Sequence, residues 1–277
     1  MEKWIKKAVA LCRKVVLKDS PKNFKMTNYP SDVSDSQWQV ISKYLDVERS
    51  REYDLYEIVN AILYLVKTGC QWRMLPKDFP KWQLVYYYFS KWKKDGTIEY
   101  IHESLVESIR LKTGKKEEPT VGILDSQSVK TTNVSCAETG FDAGKRIKGR
   151  KRNIIVDTLG LILCVVVHSA GIQDRNGGLP IIEKLKEKWR QIIKIFADSG
   201  YDGTLIQKVK DKCGYTLEIV RKRDAAVFKV LPKRWIVERT IAWINNSRRM
   251  SKDYERYTNT SEAMIQLAAI RIMLKRF

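Results

Sequence analysis

The sequence predicts two successive folding units: an all-helical segment of helix-turn-helix type over residues 26–113, and a mixed α/β unit over residues 121–277. Three observations predict this. Apolar residues recur at helical spacing from residue 35 to 113. A charged, proline-terminated stretch, GlyLysLysGluGluProThr at 114–120, then reads as a linker. Beyond it, strand-length apolar runs at 121–125, 152–157, 161–168 and 192–197 alternate with helical runs, the pattern of a layered α/β unit with an antiparallel portion.

The elements follow in order. Residues 1–25 are a basic extension in which Trp4, Ile5, Ala8, Val9 and Leu11 alternate with lysines. It reads either as a DNA-clamping arm or as a frayed segment ahead of Met26. Asp35 or Ser36 is placed to cap a helix holding Trp38, Ile41 and Leu45. Asp54 caps a second, with Ile58, Ile62, Leu65 and Val66 on one face, and Gly69 ends it.

A turn-rich stretch with Pro76 and Pro80 leads to a third helix, about 81–94. Trp82, Val85, Tyr86, Phe89 and Trp92 recur there at core spacing. Lys81, Gln83, Tyr87, Lys91 and Lys94 are the side chains able to reach phosphates or base edges, although spacing does not decide whether this helix or the preceding one reads DNA. In the second unit, AspThrLeuGly at 157–160 reads as a hairpin turn. Helices are expected at about 178–190, 203–213, 232–254 and 261–276.

With 52 Lys plus Arg against 32 Asp plus Glu, the formal net charge is +20, which points to a polyanionic partner, nucleic acid first. Five scattered cysteines with no CxxC pair exclude a tetrahedral zinc site and read as reduced and buried. The lysine-interrupted start leaves no signal-peptide core, and the longest apolar run, 161–167, is too short for a bilayer. The expectation is a cytoplasmic, nucleoid-associated protein with no membrane partner. Only His102 and His168 are present, so carboxylates must carry any catalysis.

Asp125 and Asp198 each end an apolar run of strand length, and Glu238 lies in a helical stretch. A sheet and a packed helix can therefore bring three carboxylates together as hard oxygen ligands for Mg²⁺ over DNA. Asp157 reads as a turn residue and Asp202 as a helix cap, while Asp142 is a further competitor. Asp174 reads as a loop residue, or else as part of the catalytic rim. Arg234 stands one helical turn before Glu238, so the two read either as an intrahelical ion pair or as a DNA contact beside a metal ligand. The glycine-punctuated tract with Lys145, Arg146, Lys148, Arg150, Lys151 and Arg152 reads as a phosphate-gripping loop. A second basic tract comprises Arg221, Lys222, Arg223, Lys229, Lys233 and Arg234.

From about Met26 to Phe277 the chain resembles the DDE-type transposases of bacterial insertion sequences, in the group called insertion-sequence family five. ThrAsnTyrProSerAspValSerAspSerGlnTrp (27–38) and the stretch from GlyCysGlnTrpArgMetLeuPro to ValTyrTyrTyrPhe (69–89) resemble its DNA-binding region. LeuAspSerGlnSerValLysThr (124–131), GlyPheAspAlaGlyLysArgIleLysGlyArgLysArg (140–152), AlaAspSerGlyTyrAspGly (197–203) and ArgTrpIleValGluArgThrIleAlaTrp (234–243) resemble its catalytic domain.

The resemblance implies an RNase H-like catalytic domain with Asp125, Asp198 and Glu238 as ligands of two Mg²⁺ ions, Mn²⁺ being able to substitute. It also implies strand cleavage and transfer at terminal inverted repeats, with double-stranded DNA of the element ends and target as partner. A homo-oligomer assembled on DNA is expected. The wider transposase signature has Tyr, Arg and Lys seven before, four before and seven after the glutamate. Here those places hold Leu231, Arg234 and Asn245, leaving Arg248 or Arg249 to replace the lysine. Two rivals remain: a nuclease of related fold without strand transfer, and a non-enzymatic DNA-binding regulator derived from such a transposase.

Overall fold

The computed structural model describes residues 29–133, 138–220 and 234–277. The 1–25 extension, Leu231 and the second basic tract apart from Arg234 lie outside the described residues.

Helix α1 (Asp35–Ile41) begins one residue earlier than expected, at Ser34. The Ser34 hydroxyl accepts from the Gln37 N–H and the Gln37 side chain accepts from the Ser34 N–H, so two otherwise orphaned donors are satisfied reciprocally. Helix α2 (Leu55–Thr68) starts at Asp54 as expected, the carboxylate accepting from Tyr56 N–H at 3.0 Å. It stops at Gly69, whose φ of 71° suits glycine. A Cβ there would lie 3.2 Å from the backbone of Arg248, so this helix end sits directly against the second unit.

Helix α3 (Trp82–Lys94) follows a connection holding one 3-10 turn (Trp72–Met74). It buries Val85, Phe89 and Trp92 and exposes Lys81, Gln83, Tyr87, Lys91 and Lys94, while Tyr86, expected in the core, is 45% exposed. A further helix, α4 (Thr97–Lys112), completes the all-helical region. Its last turn is tied to the linker: the Arg110 guanidinium donates to the carbonyls of Lys116, Glu117 and Glu118.

The second unit is a mixed six-stranded sheet flanked by helices, the RNase H-like arrangement. Strands β1 (Val121–Lys130), β3 (Ile147–Val156) and β4 (Ile162–Ser169) are antiparallel neighbours, with the short β2 (Gly140–Asp142) also on β3. On the other side of β1, β5 (Lys194–Ala197) and β6 (Thr216–Ile219) run parallel. The β3–β4 hairpin turns at 157–160 as expected. Asp157 accepts from the N–H groups of Leu159 and Leu161, both at 2.9 Å, and its other oxygen pairs with Arg110. The helices are α5 (Asp174–Lys188), α6 (Thr204–Cys213), α7 (Arg234–Asn245) and α8 (Thr258–Leu274).

The helix expected over 232–254 is corrected to one ending at Asn245. Beyond a 3-10 turn (Arg248–Met250), the chain runs to the end of β1, where Asp253 N–H donates to the Lys130 carbonyl at 2.8 Å. Tertiary pairing therefore overrides helical spacing there. Buried apolar side chains form one continuous cluster from Val33 to Leu274, with α8 packed on α2, α4 and β4. Among the described residues, no helix is long and apolar enough to cross a membrane, and Cys70, Cys164 and Cys213 are free thiols.

Candidate active site

Asp125 lies on the central strand β1, and Asp198 follows the last residue of its parallel neighbour β5. The pairing register Ile123↔Phe196, carried two residues on, sets the two aspartates side by side at the carboxyl end of β5. Open sheets place their ligand sites at such strand ends. Asp125 accepts from the Ser126 N–H at 2.7 Å, and Asp198 from the Gly200 N–H at 2.9 Å, so each carboxylate is fixed by the chain that follows it.

Burial pushes the Asp125 carboxyl up to about 6, and the neighbouring Asp198 charge adds to the rise. The Ser126 N–H, Arg234 and Lys145 pull the other way. The centre of the site is thus a carboxylate with less positive charge around it than its burial requires.

Helix α7 packs on β1 and β3 and brings the third acid. Arg234 lies between acids: its Nη2 is 3.3 Å from Asp198 Oδ2 and its Nε is 3.2 Å from Glu238 Oε1. The intrahelical ion pair is therefore present, and the same guanidinium also joins Glu238 to the Asp198 strand. Among the described residues, no three His, Cys, Asp or Glu side chains converge closely enough to hold one metal ion. The donor set itself fits a hard divalent cation, being all carboxylate oxygen. Asp125 is short of positive charge, and Arg234 supplies a cation between the other two acids.

The basic tract divides in two. Lys145, Arg146 and Lys148 are exposed, and Lys145 Nζ donates to the Ser126 carbonyl at 3.1 Å, which places its charge over β1 beside Asp125. The expectation that Arg150, Lys151 and Arg152 grip phosphate is corrected, because all three are buried. Arg150 donates to the carbonyls of Glu138, Glu255 and Arg256 and pairs with Asp253 at 3.4 Å. Arg152 donates to the carbonyls of Met250 and Lys252, and Lys151 pairs with Asp174 at 2.9 Å. Arg249 is corrected likewise: it is buried, paired with Glu255 at 2.7 Å and bonded to the Cys70 carbonyl, so it cannot replace a DNA-contacting lysine. Arg248 is exposed.

Among the competing acids, Asp202 is not the cap of α6; that place is held by Gly203, whose N–H donates to Asp202. Asp142 accepts from Ser128 Oγ at 2.5 Å. Asp174 is not in a loop but opens α5, and it accepts from Ser126 Oγ at 2.9 Å. Sequence reading did not pair Ser126 with Asp174. The available signal was that Ser126 directly follows Asp125 on a strand and must face away from it.

Residues 116–274 match the family model described as "Transposase DDE domain", and residues 33–102 match "Putative transposase of IS4/5 family (DUF4096)". The chain is similar to a protein of Burkholderia cepacia described as "Putative transposase for insertion sequence element IS402", with 26% identity over 131 residues. That alignment covers 45% of this chain and 62% of the relative.

Proposed function

The chain belongs to the family of transposases with a DDE domain, and from that premise we propose that it binds the terminal inverted repeats of an insertion sequence and cuts and joins DNA strands there. The observation that carries this reading is Asp125 on β1 beside Asp198 at the end of its parallel neighbour β5, with Glu238 linked to Asp198 through Arg234. The sequence alone leads to the same three acids.

Asp125, Asp198 and Glu238 are the side chains that would hold Mg²⁺, in two ions, with Mn²⁺ able to substitute. Bound there, the ions supply activation of the nucleophile and stabilisation of the leaving 3′ oxygen. The chain's own groups do the positioning. Exposed Lys145 lies over β1 and brings positive charge to a phosphate above Asp125. Arg234 reaches Asp198 and Glu238 from α7 and balances part of their negative charge. The exposed Lys81 at the start of α3 and Gln83, Lys91 and Lys94 on it, with Arg146, Lys148 and Arg248, form the further polar and basic surface for the duplex of element ends and target. A homo-oligomer on DNA would let two ends be processed together.

Strand joining tests the reading. Pre-nicked end DNA, a target plasmid, Mg²⁺ and the full chain should give joined product. Cleavage without joining would identify a nuclease, and end binding with neither would identify a regulator.

A further inference from the structure

Asp174 carries no role in the reading above. Resting on that reading, we infer that Asp174, held by Lys151, is a positioning residue that fixes the Asp125 strand and the Asp198 turn relative to one another.

Ser126 links Asp174 to Asp125. Its backbone N–H donates to the Asp125 carboxylate at 2.7 Å, while its hydroxyl donates to Asp174 Oδ1 at 2.9 Å. Asp174 therefore holds β1 at the residue next to Asp125, the same residue whose N–H fixes the Asp125 carboxylate. The other oxygen of Asp174 faces the Asp198 turn. A Cβ at Gly200 would lie 3.0 Å from Asp198 Oδ1 and 3.1 Å from Asp174 Oδ2, so both carboxylates stand close over the same glycine.

Lys151 supplies the counter-charge. Its side chain is 5% exposed, and its ammonium lies 2.9 Å from Asp174 Oδ1, 3.6 Å from Asp142 Oδ2, and donates to the Ile172 carbonyl at 2.9 Å. A buried lysine with these partners cannot reach solvent or DNA; it holds an anion in place. Beneath these groups, fully buried Tyr201 donates to Asn153 Oδ1 at 2.8 Å, and its ring lies against Gly178 of α5, where a Cβ would come within 2.9 Å. The start of α5 is thus seated on the residues that follow Asp198. Asp174 spans the two carboxylate-bearing segments, with its own charge already matched by Lys151. That arrangement describes a residue that orients ligands, not one that serves as a ligand.

The test uses the full chain without DNA, with Mn²⁺ binding followed by loss of the free-ion EPR signal, and cleavage and melting temperature measured alongside. Asp174→Asn keeps an acceptor for Ser126 but loses the ion pair. It should weaken Mn²⁺ binding and slow cleavage by about tenfold or more, with melting lowered but the fold retained, because Asp142 still stands 3.6 Å from the Lys151 ammonium. Lys151→Met should do the same, and the double variant should be no worse than the weaker single, since both changes release one contact. Should Asp174→Asn fail to fold, Asp174→Ser is read by the same criteria.

Mn²⁺ affinity and cleavage within about twofold of the parent would overturn the inference. So would tighter Mn²⁺ binding in Lys151→Met together with complete loss in Asp174→Asn, because Asp174 would then be a ligand itself. Asp125→Asn separates the two levels. If it binds Mn²⁺ as the parent does, the proposed site fails; if it loses binding while Asp174→Asn keeps it, only the positioning role fails.

Discussion

Arg234 reaches across from helix α7 to Asp198, its Nη2 standing 3.3 Å from Asp198 Oδ2 while its Nε lies 3.2 Å from Glu238 Oε1. One guanidinium thus occupies the space between two of the three acids. A cation in that space competes with any metal the acids would bind. Arg234→Gln should therefore tighten Mn²⁺ binding by the free chain. Glu238 is more than half exposed, and such pairs contribute about 0.2–1 kcal/mol, so the gain should not exceed about fivefold. Calorimetric titration would show it; weaker binding would mean that Arg234 organises the acids rather than competing for them.

Asp125 predicts a pH-dependent stability. Its carboxyl is raised from 3.8 to about 6 in the fold, chiefly by burial. A raised acid binds its proton more tightly folded than unfolded, so its contribution to stability is full below about pH 4 and is lost as pH rises through about 6. At pH 7 without metal, Asp125→Asn should be more stable than the parent by about 1–2 kcal/mol after allowance for partial contact with water, or about 2–4 °C in melting temperature. The difference should shrink toward zero at pH 4. A constant difference across that range would contradict the assignment.

The ion pair of Arg110 with Asp157 joins the last turn of α4 to the β3–β4 hairpin, with side chains 7% and 0% exposed. Removing one partner strands a buried charge, at a cost of about 3–5 kcal/mol. Arg110→Ala should lower the denaturation midpoint accordingly. A loss under about 1 kcal/mol would mean that water reaches Asp157 in the variant.

The two halves of the basic tract should behave differently. Lys145→Ala, Arg146→Ala and Lys148→Ala should each leave melting unchanged and reduce the slope of log affinity for DNA against log salt by about 1. Arg150→Ala should destabilise the fold, because Arg150 is fully buried with its bonds on the 255–261 segment. An unchanged melting temperature for Arg150→Ala would contradict that partition.

That partition also marks where sequence patterning stops being informative. Asp125 and Asp198 stood out in the sequence because each ends an apolar run, a local signal; the continuation of β1 past Asp125 to Lys130 was not local, since it rests on pairing with β3. The Asp54 and Gly69 helix boundaries and the 157–160 turn were local as well. The burial of Arg150, Lys151 and Arg152 was not, since most of their partners are carbonyls and acids of distant segments, among them Glu255, Arg256 and Asp253 for Arg150 and Met250 for Arg152. A run of basic residues looks the same whether it faces phosphate or its own C-terminal segment. The helix expected through 254 ended at Asn245 for a similar reason, as the backbone around Asp253 pairs with the end of β1. Ser34 capped in place of Asp35 or Ser36 because Gln37 returned the bond.

Whether Asp125, Asp198 and Glu238 act as one catalytic set is decided at Glu238, because that residue is also half of an ion pair with Arg234. Single-turnover cleavage of end DNA by Glu238→Gln in Mg²⁺ is the measurement, with end binding measured in parallel. One catalytic set requires that binding be retained and that cleavage fall by at least about a hundredfold, about 3 kcal/mol of lost transition-state stabilisation. Near-parental cleavage by Glu238→Gln, with Asp125→Asn and Asp198→Asn inactive, would contradict it and leave Glu238 as no more than the ion-pair partner of Arg234.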